Sequence, residues 1–456
     1  QTDQRPIPDT DPLPAPPVTP ARPTPVRTTT ASTNQANPAA SVDGDDQDAP
    51  MAPTWVLAGL SGSGALLAGS MLLLLRRRRR AQLRHRRPGH TMPAPAPLLA
   101  PVEKTLVGIG ARTAPTVEYL DATLRRLAAA CAADRRPLPE VAAVELTGTA
   151  VVLHLDRPTD PHGPWTDTQA GHTWHLDAVT SLDDIGPDIP DQPAPYPLLV
   201  TIGQSDDGKQ WLLNIENQAV TITGDPTFAQ DLARYLAAET ACNPWSSGIH
   251  VACIGVAGEV APLNPDRIHA YNADDPANDL VAELLAEAVH TIDRTRDAGT
   301  DTSTARAHQA GDDAWSTRLL LVDAGNDNPV LDQLLDLIDA HPGHTATSVV
   351  LRGPRAGSTG TAIHVTSEGR LTVPSLGLDL VAVGLTPDEA QGCAALLAAS
   401  ENFEPVPVPA DSNATGGWEA FTDLAGSLRA EHVLPRDVTH DPRESASSLL
   451  TEDDDT

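Results

Sequence analysis

The chain has 456 residues, a formal net charge of −30, 43 prolines and only 3% aromatic residues. That length exceeds one ordinary domain. So acidic a balance keeps folded parts in solution and excludes a broad nucleic-acid-binding face, because phosphates are repelled.

Residues 1–54 are Pro, Thr, Asp and Ala with almost no large apolar side chains. They cannot bury enough surface to offset ordering entropy, so a disordered extracellular linker is expected. From Trp55 to Leu75, 21 uncharged residues contain VLAGL, GALLAG and MLLLL. At about 1.5 Å per helical residue this matches a hydrocarbon core of roughly 30 Å, and a single transmembrane helix is expected. Trp55 would sit at the outer interface, its ring buried and its N–H wet. Arg76, Arg77, Arg78, Arg79 and Arg80 follow, then Arg84, Arg86 and Arg87, whereas the preceding VDGDDQDAP is acidic. Cationic flanks stay inside, which puts 1–54 outside the cell membrane and the rest in the cytoplasm. A cleaved signal would carry its charge before the apolar run and lie nearer the N-terminus. The arginines read first as a stop-transfer anchor, with attraction to membrane lipids as a by-product. Residues 76–101 form a basic juxtamembrane linker. Because the chain begins with Gln, it is expected to be a piece of something longer.

The spacing of Val117, Leu120, Leu124, Leu127 and Cys131 predicts a helix over 115–134, with Pro115 near its start. EVAAVELTG, AVVLHLD and TWHLD read as strands, which makes 102–196 a small α+β domain. From Pro197 strands alternate with long helices. LLVTIG and QWLLNIE flank a DDG hairpin turn, AVTITG leads into a helix at 226–241, and IHVACIGV is a short apolar strand of the kind buried on both faces. A helix at 276–295, RLLLVD, the helix VLDQLLDLIDA, TSVVLR and the hairpin AIHVTSEGRLTV follow. LTPDEAQGCAALLAA carries a capping box, with Thr386 at the cap and Glu389 three residues on. This alternation predicts a three-layer α/β domain over 197–434, with helices on both faces of its sheet, and an acidic disordered tail over 435–456.

A P-loop needs GxxxxGK[ST] between strand and helix, so that backbone N–H groups cradle phosphates and a lysine neutralises them. Here the strand ends at Gly224, followed by Asp225, Pro226, Thr227 and Phe228. There is no lysine, Asp225 repels phosphate, and Pro226 has no N–H. RLLLVD ends in Asp323, the place of a magnesium-shell aspartate, although many strands end in Asp simply to cap the next helix. The order of elements over about 197–400 resembles the RecA-type core of FtsK-like translocases and type VII secretion ATPases. That resemblance implies a degenerate nucleotide site at Gly224, Asp225 and Asp323 on a fold kept as a binding platform. The wider layout, with PEVAAVEL, PYPLLVTIGQSDDG and ITGDPTFAQDLARYLAAE, is similar to large actinobacterial single-pass membrane proteins. Those carry an extracellular LysM domain and a C-terminal transcriptional activator domain, neither present in this chain.

His154, His162, His172 and His175 lie in or near an irregular loop without HxxxH or HExxH spacing, so surface positions are expected and no metal. The loop GPRAGSTGTA, with Arg352 and Arg355, suggests an anion site beside the plainer reading as a hairpin loop. Cys131, Cys242, Cys253 and Cys393 show no CxxC pair and read as buried reduced thiols. No catalytic residue or cofactor is assigned. The expected role is a non-enzymatic membrane scaffold whose cytoplasmic domain binds cytoplasmic and envelope proteins. The resemblance implies pilus or secretion components as partners, and self-assembly, since RecA-type cores form rings. A non-hydrolysing nucleotide sensor and a relay of a wall signal to a transcriptional domain are the alternatives.

Overall fold

A computed structural model describes residues 62–85, 90–93, 95–272, 275–310, 315–326, 328–355, 360–404, 406–407 and 422. The expected linker 1–54, Trp55 and the expected tail 435–456 lie outside the described residues. Along the chain come α1 (Ala65–His85), β1 (His90–Thr91), α2 (Ala100–Ala133), β2 (Val141–Leu146), β3 (Ala150–Leu155), β4 (Thr166–Asp167), β5 (Thr173–Asp177) and the short α3 (Leu182–Ile185). Then follow β6 (Leu199–Gln204), β7 (Gln210–Asn214), β8 (Ala219–Gly224), α4 (Pro226–Cys242), β9 (His250–Ile254), β10 (Ile268–Tyr271), α5 (Asp275–Ala298), α6 (Thr302–Ala307) and β11 (Arg318–Asp323). The last elements are α7 (Pro329–Ala340), β12 (Thr347–Arg352), β13 (Thr361–Val365), β14 (Arg370–Val373), β15 (Leu378–Ala382), α8 (Pro387–Ala399) and β16 (Val406–Pro407).

Among the described residues fourteen strands form one mixed sheet in the order β10-β9-β11-β12-β8-β13-β14-β15-β6-β7-β2-β3-β5-β4. Pairing is parallel from β10 through β13 and antiparallel from β13 to β4. The parallel part is covered on both faces. On β11, Leu319 and Leu321 belong to the core that holds α4 and α8, while Leu320 and Val322 point into the one beneath α5 and α7. This two-residue alternation is why RLLLVD reads as a continuous apolar run. Strands before and after residue 196 share the sheet, because β2 pairs with β7 from Ala143↔Leu213 to Leu146↔Gln210.

Several local expectations hold. The DDG turn closes β6 onto β7 with Gly208 at φ +86°. The capping box of α8 is complete: Glu389 N–H donates to Thr386 Oγ1 and Thr386 N–H donates to the Glu389 carboxylate at 2.9 Å. The hairpin of β13 and β14 is antiparallel as expected.

One expectation needs correction, and another is met by the described residues only in part. The helix predicted from 115 starts at Ala100, so Pro115 lies inside α2. Val102, Leu106, Gly110 and Ala114 are buried at four-residue steps against the neighbouring α1, and this packing outweighs the local cost of a proline. The bilayer span expected over Trp55–Leu75 is described over residues 62–75 only. Leu66, Leu67, Met71, Leu72 and Leu75 are at most 2% exposed. Leu67, Met71 and Leu75 share a core with Leu198, Val200 and Leu236, and Leu66 shares another with Leu120 and Leu199. An apolar helix can leave water for protein as well as for lipid, and here the described part takes the protein interior. α1 and α2 approach closely enough that a Cβ on Gly110 would stand 2.5 Å from the Ala68 carbonyl oxygen. Thr113 Oγ1 donates to the Ala65 carbonyl at 2.8 Å, and Ser70 Oγ donates to Asn243 Oδ1 of the residue ending α4 at 2.7 Å. No helix among the described residues is long and apolar enough to cross a membrane.

Candidate functional site

In open α/β sheets ligands bind beyond the carboxyl ends of the parallel strands. At that edge β8 ends in Gly224, β11 in Asp323 and β12 in Arg352, with β12 lying between the other two. The sequence-predicted positions are therefore on one side of the sheet, and Arg352 stands in the interval.

Gly224 has φ +104°, and a Cβ there would lie 1.9 Å from the Val365 carbonyl oxygen at the end of β13. Asp225 N–H donates to that same oxygen at 2.8 Å. The glycine thus lets two parallel strands close on each other at the loop. Asp225 caps α4: one carboxylate oxygen accepts from Thr227 N–H at 2.9 Å and Phe228 N–H at 3.1 Å. Ala229 N–H donates to the Asp225 carbonyl at 2.9 Å, and Pro226 has no N–H. An α-helix leaves its first four amides open, and these amides are what cradles a phosphate. In α4 every one is taken or missing, and a carboxylate occupies the place of the anion.

Asp323 is equally engaged. Its Oδ1 accepts from Gly325 N–H at 2.9 Å and its Oδ2 from the Arg352 guanidinium. Ala324 N–H donates to the Arg352 carbonyl at 2.9 Å, so backbone and side chain both fasten the end of β11 to β12. Arg355 donates to the carbonyls of Ala324 (3.2 Å) and Asn326 (3.0 Å) and pairs with Asp332 on α7. The anion site suggested by Arg352 and Arg355 is thus a pair of cations each facing a carboxylate of this chain. Residues 356–359 of that loop lie outside the described residues.

The histidines are distributed among local partners. His154 contacts Glu145 at 3.2 Å and stacks near the Trp211 ring at 4.8 Å, while His162 faces Asp134 at 3.3 Å. Among the described residues, no three His, Cys, Asp or Glu side chains are placed to hold a metal ion. All four cysteines are free and buried. Burial pushes the Cys131 thiol up to about 11 and those of Cys242 and Cys253 up to about 12, so none is a thiolate near neutrality.

One group left no mark in the sequence pattern. Glu239, on a face of α4 that looks merely polar in ETACNP, is fully buried and accepts from Thr201 N–H and Thr201 Oγ1, both at 2.6 Å. Burial pushes its carboxyl up from 4.5 to about 7, against the opposing pull of the Thr201 and Asn243 hydrogen bonds. The folded chain therefore keeps a proton that the unfolded chain releases near pH 4.5. Stability falls as pH rises from about 4.5 to 7, by about 3 kcal/mol from this group. Glu239→Gln should remove that component. Urea midpoints of both proteins from pH 4 to 8 check it, and parallel curves would refute the assignment.

No protein-family profile matches the chain, and no curated protein matches it. Among solved structures, the chain is similar to the cytoplasmic domain of the Thermomonospora curvata type VII secretion ATPase EccC, at 15% identity over 57% of this chain and 41% of that one, with a TM-score of 0.38. It is also similar to ATPases 2 and 3 of EssC from Geobacillus thermodenitrificans, at 12% identity over 46% of this chain and 52% of that one, TM-score 0.34. The pCW3 conjugation coupling protein TcpA matches at 10% identity over 58% of this chain and 96% of that one, TM-score 0.30. The chain spans about half or less of the length of the two secretion ATPase chains.

Proposed function

We propose that this chain is a non-hydrolysing relative of RecA-type translocase cores that serves as a partner-binding platform at the inner face of a membrane. The observation that carries this reading is the start of α4, where Asp225 and Pro226 leave no amide for a phosphate. A second feature points the same way. The Arg352 guanidinium neutralises Asp323 from within the chain, where a hydrolase would use a magnesium ion. The alternation of parallel strands and helices from β8 to β13, with helices on both faces, supports the RecA-type assignment. With its site closed, the fold is left as a surface, and secretion or conjugation components are the partner class proposed.

Titration calorimetry with ATP and magnesium up to millimolar nucleotide should give no binding heat, and phosphate release should match the protein-free rate. Saturable binding below millimolar with no turnover would replace the platform by a nucleotide sensor. Turnover would remove both.

A further inference from the structure

We infer that the end of the molecule built from the second half of α1, the start of α2, residues 401–404 and β16 is a docking surface for an anionic bilayer. This deepens the membrane part of the reading above and rests on it, while the nucleotide part stands separately. The sequence pointed to a helix that crosses the bilayer. The structure instead presents a surface that can lie on one.

Apolar side chains meet water unevenly over the molecule. Ten large hydrophobic side chains are exposed among the described residues, and five of them, Leu83, Leu98, Val107, Phe403 and Val406, fall on this one end. Scattered singly they would need no explanation, but gathered in one region they indicate a contact surface. Leu83 is 57% and Leu98 52% exposed, values that forfeit most of the gain from burying a leucine.

The elements are held together, so the surface is preformed. Arg78 pairs with Glu401 at 2.6 Å and donates to the Leu397 carbonyl at 3.2 Å. Gln82 Nε2 donates to the Asn402 carbonyl at 2.7 Å, and the His85 ring meets the Phe403 ring edge-on at 5.2 Å. Arg79 pairs with Glu103 in the first turn of α2 at 2.6 Å, and β1 pairs with β16. Two arginines of the run therefore fasten the end of the molecule. Arg76, Arg77, Arg80 and Arg84 are exposed, and no described carboxylate pairs with them. Arg76, Arg80 and Leu83 follow at steps of four and three, on one face of α1.

Exposed leucine and phenylalanine beside unpaired arginines match a lipid boundary, where apolar groups enter the acyl edge and cations meet phosphates. The net charge of −30 opposes approach at long range. At physiological salt that repulsion is screened beyond about 8 Å, so the local patch decides. The acidic C-terminal segment TEDDDT is the rival occupant. Its charge would satisfy the arginines, yet it offers nothing for Leu98 and Phe403.

The test is co-sedimentation of the full chain with vesicles of phosphatidylcholine alone or mixed with phosphatidylglycerol. Binding is expected only to the anionic vesicles, reversed by high salt. Each arginine replaced among Arg76, Arg77, Arg80 and Arg84 by Gln should weaken it about fivefold. Leu83→Ser with Phe403→Ser should weaken it further without loss of the thermal transition. Equal binding to both vesicles that resists salt and alkaline carbonate would overturn the docking surface and leave a spanning anchor as the membrane reading. Binding to neither would overturn both. Anionic binding that appears only after removal of residues 435–456 would assign the patch to the tail.

Discussion

Arg306→Met is expected to destabilise the fold by about 3–5 kcal/mol, the largest loss expected for a single side chain of this protein. Arg306 and Glu216 are 7% and 3% exposed as side chains, and their ion pair is buried. The guanidinium also donates to the Pro195 carbonyl at 2.8 Å, the Trp315 carbonyl at 3.2 Å and Thr317 Oγ1 at 2.8 Å. It thus ties α6 to the segment entering β6, to the turn before β8 and to the residue before β11. Without it Glu216 keeps only neutral partners, such as Thr317 Oγ1 at 3.0 Å, and its charge loses compensation in a low dielectric. Breaking a buried pair from one side is worse than replacing both members. The double variant Arg306→Met with Glu216→Leu should therefore lose less than the sum of the single losses. Urea unfolding of the three variants measures this, and a single-variant loss below about 1 kcal/mol would show that the pair is solvated.

Gly224→Ala is the second large effect, at about 3 kcal/mol, and it separates two meanings of that glycine. In a nucleotide-binding loop a glycine lets backbone approach a phosphate, and its replacement costs affinity more than stability. Here the glycine lies at φ +104° with its missing side chain aimed at the Val365 carbonyl, 1.9 Å from where a Cβ would be. An alanine must take a left-handed conformation and push β13 away from β8, which adds strain to lost pairing. The expected result is a lower thermal midpoint in the absence of any ligand. An unchanged midpoint together with altered nucleotide affinity would reverse the interpretation and reopen the site.

Much of the element order was legible because it rests on short-range physics. VLDQLLDLIDA must be an amphipathic helix, since Leu331, Leu334, Leu335 and Ile338 recur on one face, and all four are buried in α7. Thr386 and Glu389 satisfy each other within four residues, so their cap needs no tertiary partner. The missing lysine after Gly224 is likewise a fact of composition. What the residues around it do instead is not, because the same Asp225 and Asp323 are compatible with an ion or with a local hydrogen bond. Arg352 is 29 residues from Asp323, and only the parallel pairing of β11 with β12 sets them face to face. Glu239 escaped notice for the same reason: Thr201, which buries and binds it, is 38 residues away on β6.

Periodicity and turn chemistry act over a few residues, and they made most of the longer strands and helices, the cap of α8 and the absence of a lysine-bearing phosphate loop readable from the sequence. Tertiary structure decided the rest. Hydrophobicity has no direction, so VLAGL through MLLLL says that a helix must leave water without saying what it enters. The described part of that run goes beneath α2 and α4 because Gly110, Thr113 and Asn243, distant in the chain, make room and supply partners there. Pro115 inside α2, the single sheet running through residue 196 and the neutralised Asp323 are decided in the same way, by contacts whose energy depends on which distant groups the fold brings together.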